Sequence, residues 1–505
     1  MSLKNKVAST VPQPPTAPFD VYTNEPTEIV IGLVGPLGTD QDKVIRQISD
    51  RLRDYGYNPK SIRFSADIIP QLAGKAKIPS SPAYDRALSL IELGNQIRLA
   101  SRNNAILAIA CAAEIAKRRP DPMGKVVKTA YIIGSLKHPD EVEELRKIYS
   151  GGFYLFAVHT DRARRVEHMR KQKGGMPEDK AIQLILRDEG EKAIHGQHTR
   201  DTFHLADFFV ADEGNDHNLR YSIRRCLDLM FGKPTLTPTF NEFAMFMAFA
   251  SSLRSADLSR QVGAVIAKGS EILATGANDC PRAGGGLYWP FFTGNEVVDE
   301  PGGRDYMRGF DSNAAEKQKL VAAIAGCFPK VASDESASRL KRTPLDDITE
   351  YGRVVHAEME ALLACARSQV SSVGATLYCT TFPCHNCAKH IIAAGIHEVV
   401  YIEPYPKSKA LEFHSDAVTT EKEDGAKVRF KPFIGVGPRK FFDLFSMSLG
   451  AGSALKRKDS ANGTLLAWRE GEASPRIRML PVCHRDFESV AKAYLEDIKG
   501  YLKKV

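Results

Sequence analysis

The residues of this chain best suited to chemistry are His356, Glu358, Cys384 and Cys387. They occur as His356-Ala357-Glu358 and, further on, Pro383-Cys384-His385-Asn386-Cys387. One imidazole and two thiolates make the donor set of a tetrahedral zinc site whose fourth position is left to water. Zn²⁺ held in this way acidifies water towards hydroxide near neutral pH. Glu358, a carboxylate that is not a ligand, can then carry protons. The pattern points to metal-assisted hydrolysis. The alternative is a closed zinc knuckle with His385 or His390 as fourth ligand, which has no need of a glutamate two residues after the histidine. A lone C-x-x-C or a lone H-A-E is a weak signal; the two together, in this order, are a strong one.

Such a set needs two helix starts that face each other. His356 leads a helix expected to run through Arg367, and Cys384 leads one to Ala394, ended by Gly395. A C-x-x-C pair at a helix N-terminus brings both sulfurs to the end where free N–H groups and the helix dipole favour thiolates. Pro383 suits a helix entry, where its missing N–H costs nothing. Residues 375–380 and 398–403 read as strands. Upstream, an apolar helix over 241–255 precedes a hairpin, 262–267 and 271–275, around Lys268-Gly269-Ser270. Residues 281–350 read as an insertion between hairpin and metal motif: a functional loop, a lid, or a partly disordered segment.

The first half alternates strands and helices. A β-branched run from Glu28 to Val34 leads into the turn Gly35-Pro36-Leu37-Gly38-Thr39, then a helix over 40–55 with Val44, Ile45, Ile48 and Leu52 on one face. Further strands are expected at 129–133, 153–158 and 205–211, with a charged helical stretch at 178–193. The alternation predicts a parallel, doubly wound sheet. The Pro/Thr-rich break at 233–239 marks a domain boundary, and residues 1–26 read as a flexible arm. The amphipathic end, Phe487 to Leu502, reads as a packing helix or a subunit contact.

The 505 residues are enough for two to four domains, and 43% hydrophobic with 26% charged content is ordinary for a soluble globular protein. A formal net charge of +8 is mild; it suits anionic small ligands such as nucleotides and is compatible with RNA contact. Of nine cysteines only Cys384 and Cys387 have tight ligand spacing, so no disulfide framework is expected and a reducing cytosol fits. Cys280 and Cys327 are either buried thiols or, with a histidine, a second zinc site. With no signal-peptide core and no long apolar run, the expectation is a cytoplasmic protein with no membrane contact.

H-x-E…P-C-x-x-C is the signature of zinc-dependent nucleobase deaminases. Together with Val262-Gly263-Ala264-Val265-Ile266, Gly276-Ala277-Asn278-Asp279 and Pro383 to Lys389, it makes the second half resemble the deoxycytidylate deaminase family. The resemblance implies a cytidine-deaminase-like α/β/α sandwich on a mixed five-stranded sheet, and a free deoxycytidine nucleotide as substrate. It implies that Asn278 contacts the deoxynucleotide, where the residues alone read equally as a turn asparagine. The backbone at Ala357 is a candidate to orient the base. Arg260 could reach a phosphate or lie solvated. Tyr405 and the nearby Lys407 could pack on base or sugar, or simply on the protein.

Gly35-x-x-Gly38-Thr39, between a strand and a helix, resembles a P-loop. Asp40, Gln41 and Asp42 stand where Gly-Lys-Ser/Thr is needed, and two acids there should repel a triphosphate, so kinase or NTPase activity is not expected. Leu136 to Val142, the arginines Arg162, Arg164 and Arg165, and Asp201 to Asp207 look like the P-loop kinase superfamily. The expected fold is therefore α/β: a doubly wound P-loop kinase-like domain over 27–235 with a degenerate phosphate loop, then the deaminase-like domain over 236–505. Roles open to the first are a regulatory nucleotide at Gly35, Gly38 and Thr39, oligomerisation, a protein or RNA partner, or simply a scaffold with a worn-out site. This fusion resembles bacterial anti-phage dCTP deaminases from about residue 27 to the mid-400s, with Leu411 to Asp416 and Gly435 to Arg439 as further likenesses. That implies deamination of dCTP, and of dCMP, to deoxyuridine nucleotides, antiviral depletion of dCTP, and in some members inhibition by a small RNA. A homo-oligomer is expected. The competing reading is a polynucleotide (RNA or single-stranded DNA) cytidine deaminase, which needs an open, basic and aromatic site. An insertion that covers the pocket favours a small substrate. A dead RNA sensor is the third reading, against which the intact Glu358 speaks.

Overall fold

The computed structural model describes residues 26–502, apart from 75–77, 121–125, 173–174, 191–194, 328–339, 341–342, 344–349, 406–407, 422–424, 449 and 480. The expected arm over 1–26, save Pro26, and Lys407 lie outside the described residues.

Strand β1 (Ile29–Val34) is buried along its whole length, as a strand covered on both faces must be. It shares a sheet with β2 (Asn58–Arg63), β3 (Thr129–Gly134), β4 (Phe153–His159) and β5 (Phe208–Ala211). All pair in parallel, in the order β2-β3-β1-β4-β5. β2 is not evident in the sequence because Asn58-Pro59-Lys60-Ser61 is polar and half exposed; it is an edge strand, where proline is tolerated. The stretch expected as strand from 205 pairs only from Phe208. A short helix, Thr199–Phe203, precedes it, and Asp207 turns inward to accept the Leu155 N–H at 2.8 Å.

The second sheet contains β6 (Gly263–Lys268) and β7 (Glu271–Ala277). After a small hairpin, β8 (Phe291–Thr293) with β9 (Glu296–Val298), it continues through β10 (Thr376–Thr381), β11 (Glu398–Glu403), β12 (Val418–Thr419) and β13 (Val428–Pro432). The order is β12-β13-β11-β10-β6-β7, with β6 antiparallel to both neighbours and the rest parallel. This is six strands rather than the expected five, the extra one being the two-residue β12.

Side chains alternate across β6. Ala264 and Ile266 face the core that holds Ala357, Cys384 and Cys387. Val265 and Ala267 face the other way, into an apolar cluster that includes Ala244 and Met245 of the helix Phe240–Ser252 and also Phe209 and Leu155 of the first half. The two halves thus share apolar packing, and the Phe209 and Phe433 rings meet edge to face at 5.7 Å.

After β13 the chain returns to the first sheet. β14 (Gly435–Val436) pairs antiparallel with β5, and the helix Pro481–Leu502 packs on the helix Ile106–Arg118. Residues 236–505 therefore do not stay together on one sheet. Arg119, buried between Glu28 at 2.9 Å and Glu488 at 2.6 Å, ties the C-terminal helix down within the chain. The insertion is not structureless either. Among its described residues are the β8–β9 hairpin and the helices Asp305–Arg308 and Ser312–Gly326.

Candidate metal centre and pocket

His356 is the N-cap of the helix Ala357–Arg367, and Cys384 is the N-cap of the helix His385–Ala393. Val355 and Asp279 exchange backbone hydrogen bonds of 3.0 and 3.3 Å, which pin the approach to His356 beside the end of β7. His356 Nδ1 lies 3.4 Å from Cys384 Sγ and 3.3 Å from Cys387 Sγ. Among the described residues these three form a set able to hold a metal ion, with all donor atoms within 4.8 Å of one another.

The chemistry of the donors fits zinc. A hydrogen bond from Cys387 pulls the Cys384 thiol down to about 4, against its burial and with help from His356. Its own hydrogen bond with Cys384 raises the His356 imidazole to about 9, and the hydrogen bond to Cys384 raises Cys387 well above the usual thiol range. The helix start thus favours a thiolate at Cys384, and an ion would draw the proton from Cys387. His385 and His390 take no part in this set: His390 Nδ1 sits 2.7 Å from the Asn386 carbonyl oxygen.

Glu358 is buried on the first turn of its helix. Burial raises its carboxyl above the ordinary range, opposed by the charge of His356. Beside it lies a cavity of about 370 Å³, a size that suits a small ligand. His356, Ala357, Glu358 and Cys384 form its floor. Asp257, Ser259, Arg260, Val262 and Asn278 form one wall, and Thr381, Phe382 and Tyr405 another. Asp305, Asp311, Asn313 and Lys317 of the insertion add a third wall.

All the candidate substrate residues of the second half therefore meet in one pocket, Lys407 aside. Asn278 does so with both amide atoms engaged: Oδ1 accepts the Val262 N–H at 2.6 Å and Nδ2 donates to the Arg260 carbonyl at 2.8 Å. It shapes the 260–262 turn as well as facing the cavity. The Arg260 guanidinium lies over the Tyr405 ring at 4.9 Å, with Glu403 at 3.9 Å. Gly35, Gly38 and Thr39 belong to the first sheet, in a tight turn closed by the Thr39 N–H on the Pro36 carbonyl, and none lines the pocket. Cys280 is buried against Asp305 and Cys327 is exposed; among the described residues they join no second metal set.

The insertion residues of the pocket went unrecognised in the sequence. The signal available was Asp311-Ser312-Asn313 ahead of an alanine-rich run, an N-cap followed by good helix formers.

A His/Cys/Cys set at two helix starts with a buried glutamate one turn away defines a zinc-dependent hydrolytic deaminase. Residues 238–403 match the model of the cytidine and deoxycytidylate deaminase zinc-binding region. The chain is 34% identical to the deoxycytidylate deaminase of Enterobacteria phage T4 over 172 residues, 32% of this chain and 77% of that one. It is 26% identical to the Saccharomyces cerevisiae deoxycytidylate deaminase over 285 residues, 54% of this chain and 76% of that one. The dCMP deaminase of cyanophage S-TIM5 is 22% identical, covers 39% of this chain and all of its own, and superposes with a TM-score of 0.22. The protein belongs to the deoxycytidylate deaminase family. Its cofactor is Zn²⁺. Among the described residues no helix is long and apolar enough to cross a membrane.

Proposed function

We propose that the protein deaminates free deoxycytidine nucleotides, dCMP and dCTP, to the deoxyuridine nucleotides. The observation that carries this reading is the walled pocket, in which Glu358 shares a floor with the candidate ligands His356 and Cys384 and the insertion supplies a wall. When bound, zinc supplies the Lewis acidity that makes water a nucleophile at neutral pH. Glu358 takes the proton that the attacking water gives up, delivers it to ring N3, and then protonates the amine that leaves C4. The Ala357 backbone orients the base. Asn278 holds the 260–262 turn against the sugar, and Arg260, steadied by Tyr405, faces the phosphates.

A walled cavity supports a small substrate over a polynucleotide, whose flipped base needs an open, stacking approach. Action on dCTP as well as dCMP, depletion of dCTP as a defence against phage, assembly into a homo-oligomer and control by a small RNA rest on the resemblance to the fused anti-phage enzymes. The parallel order β2-β3-β1-β4-β5, with a glycine loop between β1 and its helix, supports a P-loop kinase-like first domain. We place that domain at 27–235 together with 435–502, and the deaminase domain between them.

The test is ammonia release by the zinc-loaded protein on dCMP, dCTP, deoxycytidine and a cytosine-containing oligonucleotide. Turnover of the free nucleotides, lost in Glu358→Ala while zinc stays bound, is expected. Turnover of the oligonucleotide alone would overturn the substrate class, and activity surviving in Glu358→Ala would overturn the role of Glu358.

A further inference from the structure

Asp188, on the helix Glu178–Gly190, has a side chain with no exposure to solvent. Its carboxylate reaches into the loop after β1. Oδ2 accepts the Leu37 N–H at 2.8 Å. Oδ1 accepts from Lys137 Nζ at 2.9 Å and from the Thr199 hydroxyl at 3.2 Å. Lys137 also donates to the Gly35 carbonyl at 3.0 Å, which fixes the ammonium at the loop. A loop N–H, an ammonium and a hydroxyl on one buried oxyanion are the donors that a glycine loop offers to a phosphate.

The loop is shaped for close approach. Gly38 has φ of +90°, and a methyl group on it would come within 2.8 Å of both Arg165 Cβ and the Arg165 carbonyl oxygen. The helix Arg162–Lys171 therefore roofs the turn. The Thr39 hydroxyl is buried, points back towards Gly35, and has no hydrogen-bond partner among the described residues. The acids that seemed set to repel a phosphate are engaged elsewhere. Asp40 caps the following helix through the Lys43 N–H at 3.0 Å, and Asp42 pairs with Arg63.

We propose that the Gly35–Thr39 loop is an anion site that the chain itself fills: the Asp188 carboxylate stands where a phosphate group would, and a phosphate-bearing ligand enters only when Asp188 leaves. The inference rests on the reading of this turn as a phosphate loop. Two anions cannot share one lysine and one N–H in a buried site, so binding and the Asp188 contact exclude each other. The apparent affinity of the loop is then reduced by the fraction of molecules in which it is open.

The experiment is calorimetric titration of the full-length zinc-loaded protein with pyrophosphate and with ATP. The two probes separate a bare phosphate from a nucleotide. Wild type is compared with Asp188→Ala and with Asp188→Asn, which keeps the shape and the acceptor but loses the charge. Both variants are expected to bind roughly tenfold or more tightly than wild type, and Lys137→Met added to either should remove the gain. Equal affinity in wild type and variants would overturn the internal carboxylate while leaving the phosphate loop standing. No binding in any of them would overturn both. Turnover of dCMP by the same samples reports on the deaminase reading separately.

Discussion

Gly276 on β7 and Ala357, one residue before Glu358, meet backbone to backbone. A methyl group on Gly276 would lie 2.1 Å from the Ala357 carbonyl oxygen and 2.6 Å from the Ala361 amide nitrogen. Both atoms belong to the helix that carries Glu358, and neither can rotate away. Gly276→Ala should therefore push the helix start off the sheet at a cost of about 1–3 kcal/mol. A displacement near 1 Å at a proton-transfer group lowers turnover by roughly a hundredfold. The check is kcat alongside zinc content. A loss of kcat with zinc retained fits the contact; an unchanged kcat means that Glu358 is positioned by something else.

A second relation sets the pocket wall. Asp311 caps the helix Ser312–Gly326 by accepting the Ala314 N–H at 2.9 Å, and its other oxygen accepts the Ser259 hydroxyl at 3.3 Å. One carboxylate thus starts the helix and ties it to the turn that presents Arg260. Asp311→Ala removes an N-cap, a loss of about 1 kcal/mol, which read as substrate affinity is about fivefold. KM for dCMP should rise by that factor with kcat little changed, and Ser259→Ala should give part of the effect. A fall in kcat at constant KM would mean that the wall shapes the reaction rather than the binding.

The metal set and its glutamate were legible in the sequence because their spacing is local: each half of the site occupies one helix start, and a helix start is a sequence signal. The strands β1, β3, β4, β10 and β11 were legible for a similar reason, as short runs rich in β-branched or aromatic residues. What was not legible depends on contacts between distant segments. β2 is polar because it is an edge. β14 is two residues long and exists only through pairing with β5. The wall formed by Asp311, Asn313 and Lys317 needed the insertion to fold back over the motif, and no periodicity within the insertion announces that. Asp188 is one acid in a charged helix until Leu37 and Lys137 are brought to it.

Metal removal should act on structure as well as on turnover. The candidate ligands join two helix N-caps, His356 and Cys384, so an ion there clamps the helices Ala357–Arg367 and His385–Ala393 together. An ion that binds the native state and not the unfolded one adds stability by mass action. Chelation should lower the melting temperature and abolish ammonia release, and added zinc should restore both. Cys384→Ser should show the low melting temperature with or without chelator. A melting temperature indifferent to chelator would mean that the clamp does not depend on the ion.

The last relation is acid-sensitive. Glu28 sits beneath the C-terminal helix, 3.0 Å from His484 and 2.9 Å from Arg119, while Glu488 takes the other side of Arg119 and the Tyr149 hydroxyl at 3.0 Å. Burial pushes the Glu28 carboxyl up, but the hydrogen bonds and charges of His484 and Arg119 outweigh it, and the net pKa lies below the ordinary value. A carboxyl with a depressed folded pKa contributes stability that is complete above its unfolded pKa of about 4.3 and drains as pH falls through the folded value. Acid below about pH 4 should therefore loosen the docking of the helix Pro481–Leu502, read as faster amide exchange along 483–500, and Glu28→Gln should flatten that dependence. Arg119→Met leaves two buried carboxylates without their shared cation and should cost about 3–5 kcal/mol, seen as a lower unfolding midpoint at neutral pH. If Arg119→Met were no less stable than wild type, the C-terminal helix would be held by its apolar face on the helix Ile106–Arg118 and not by this cluster.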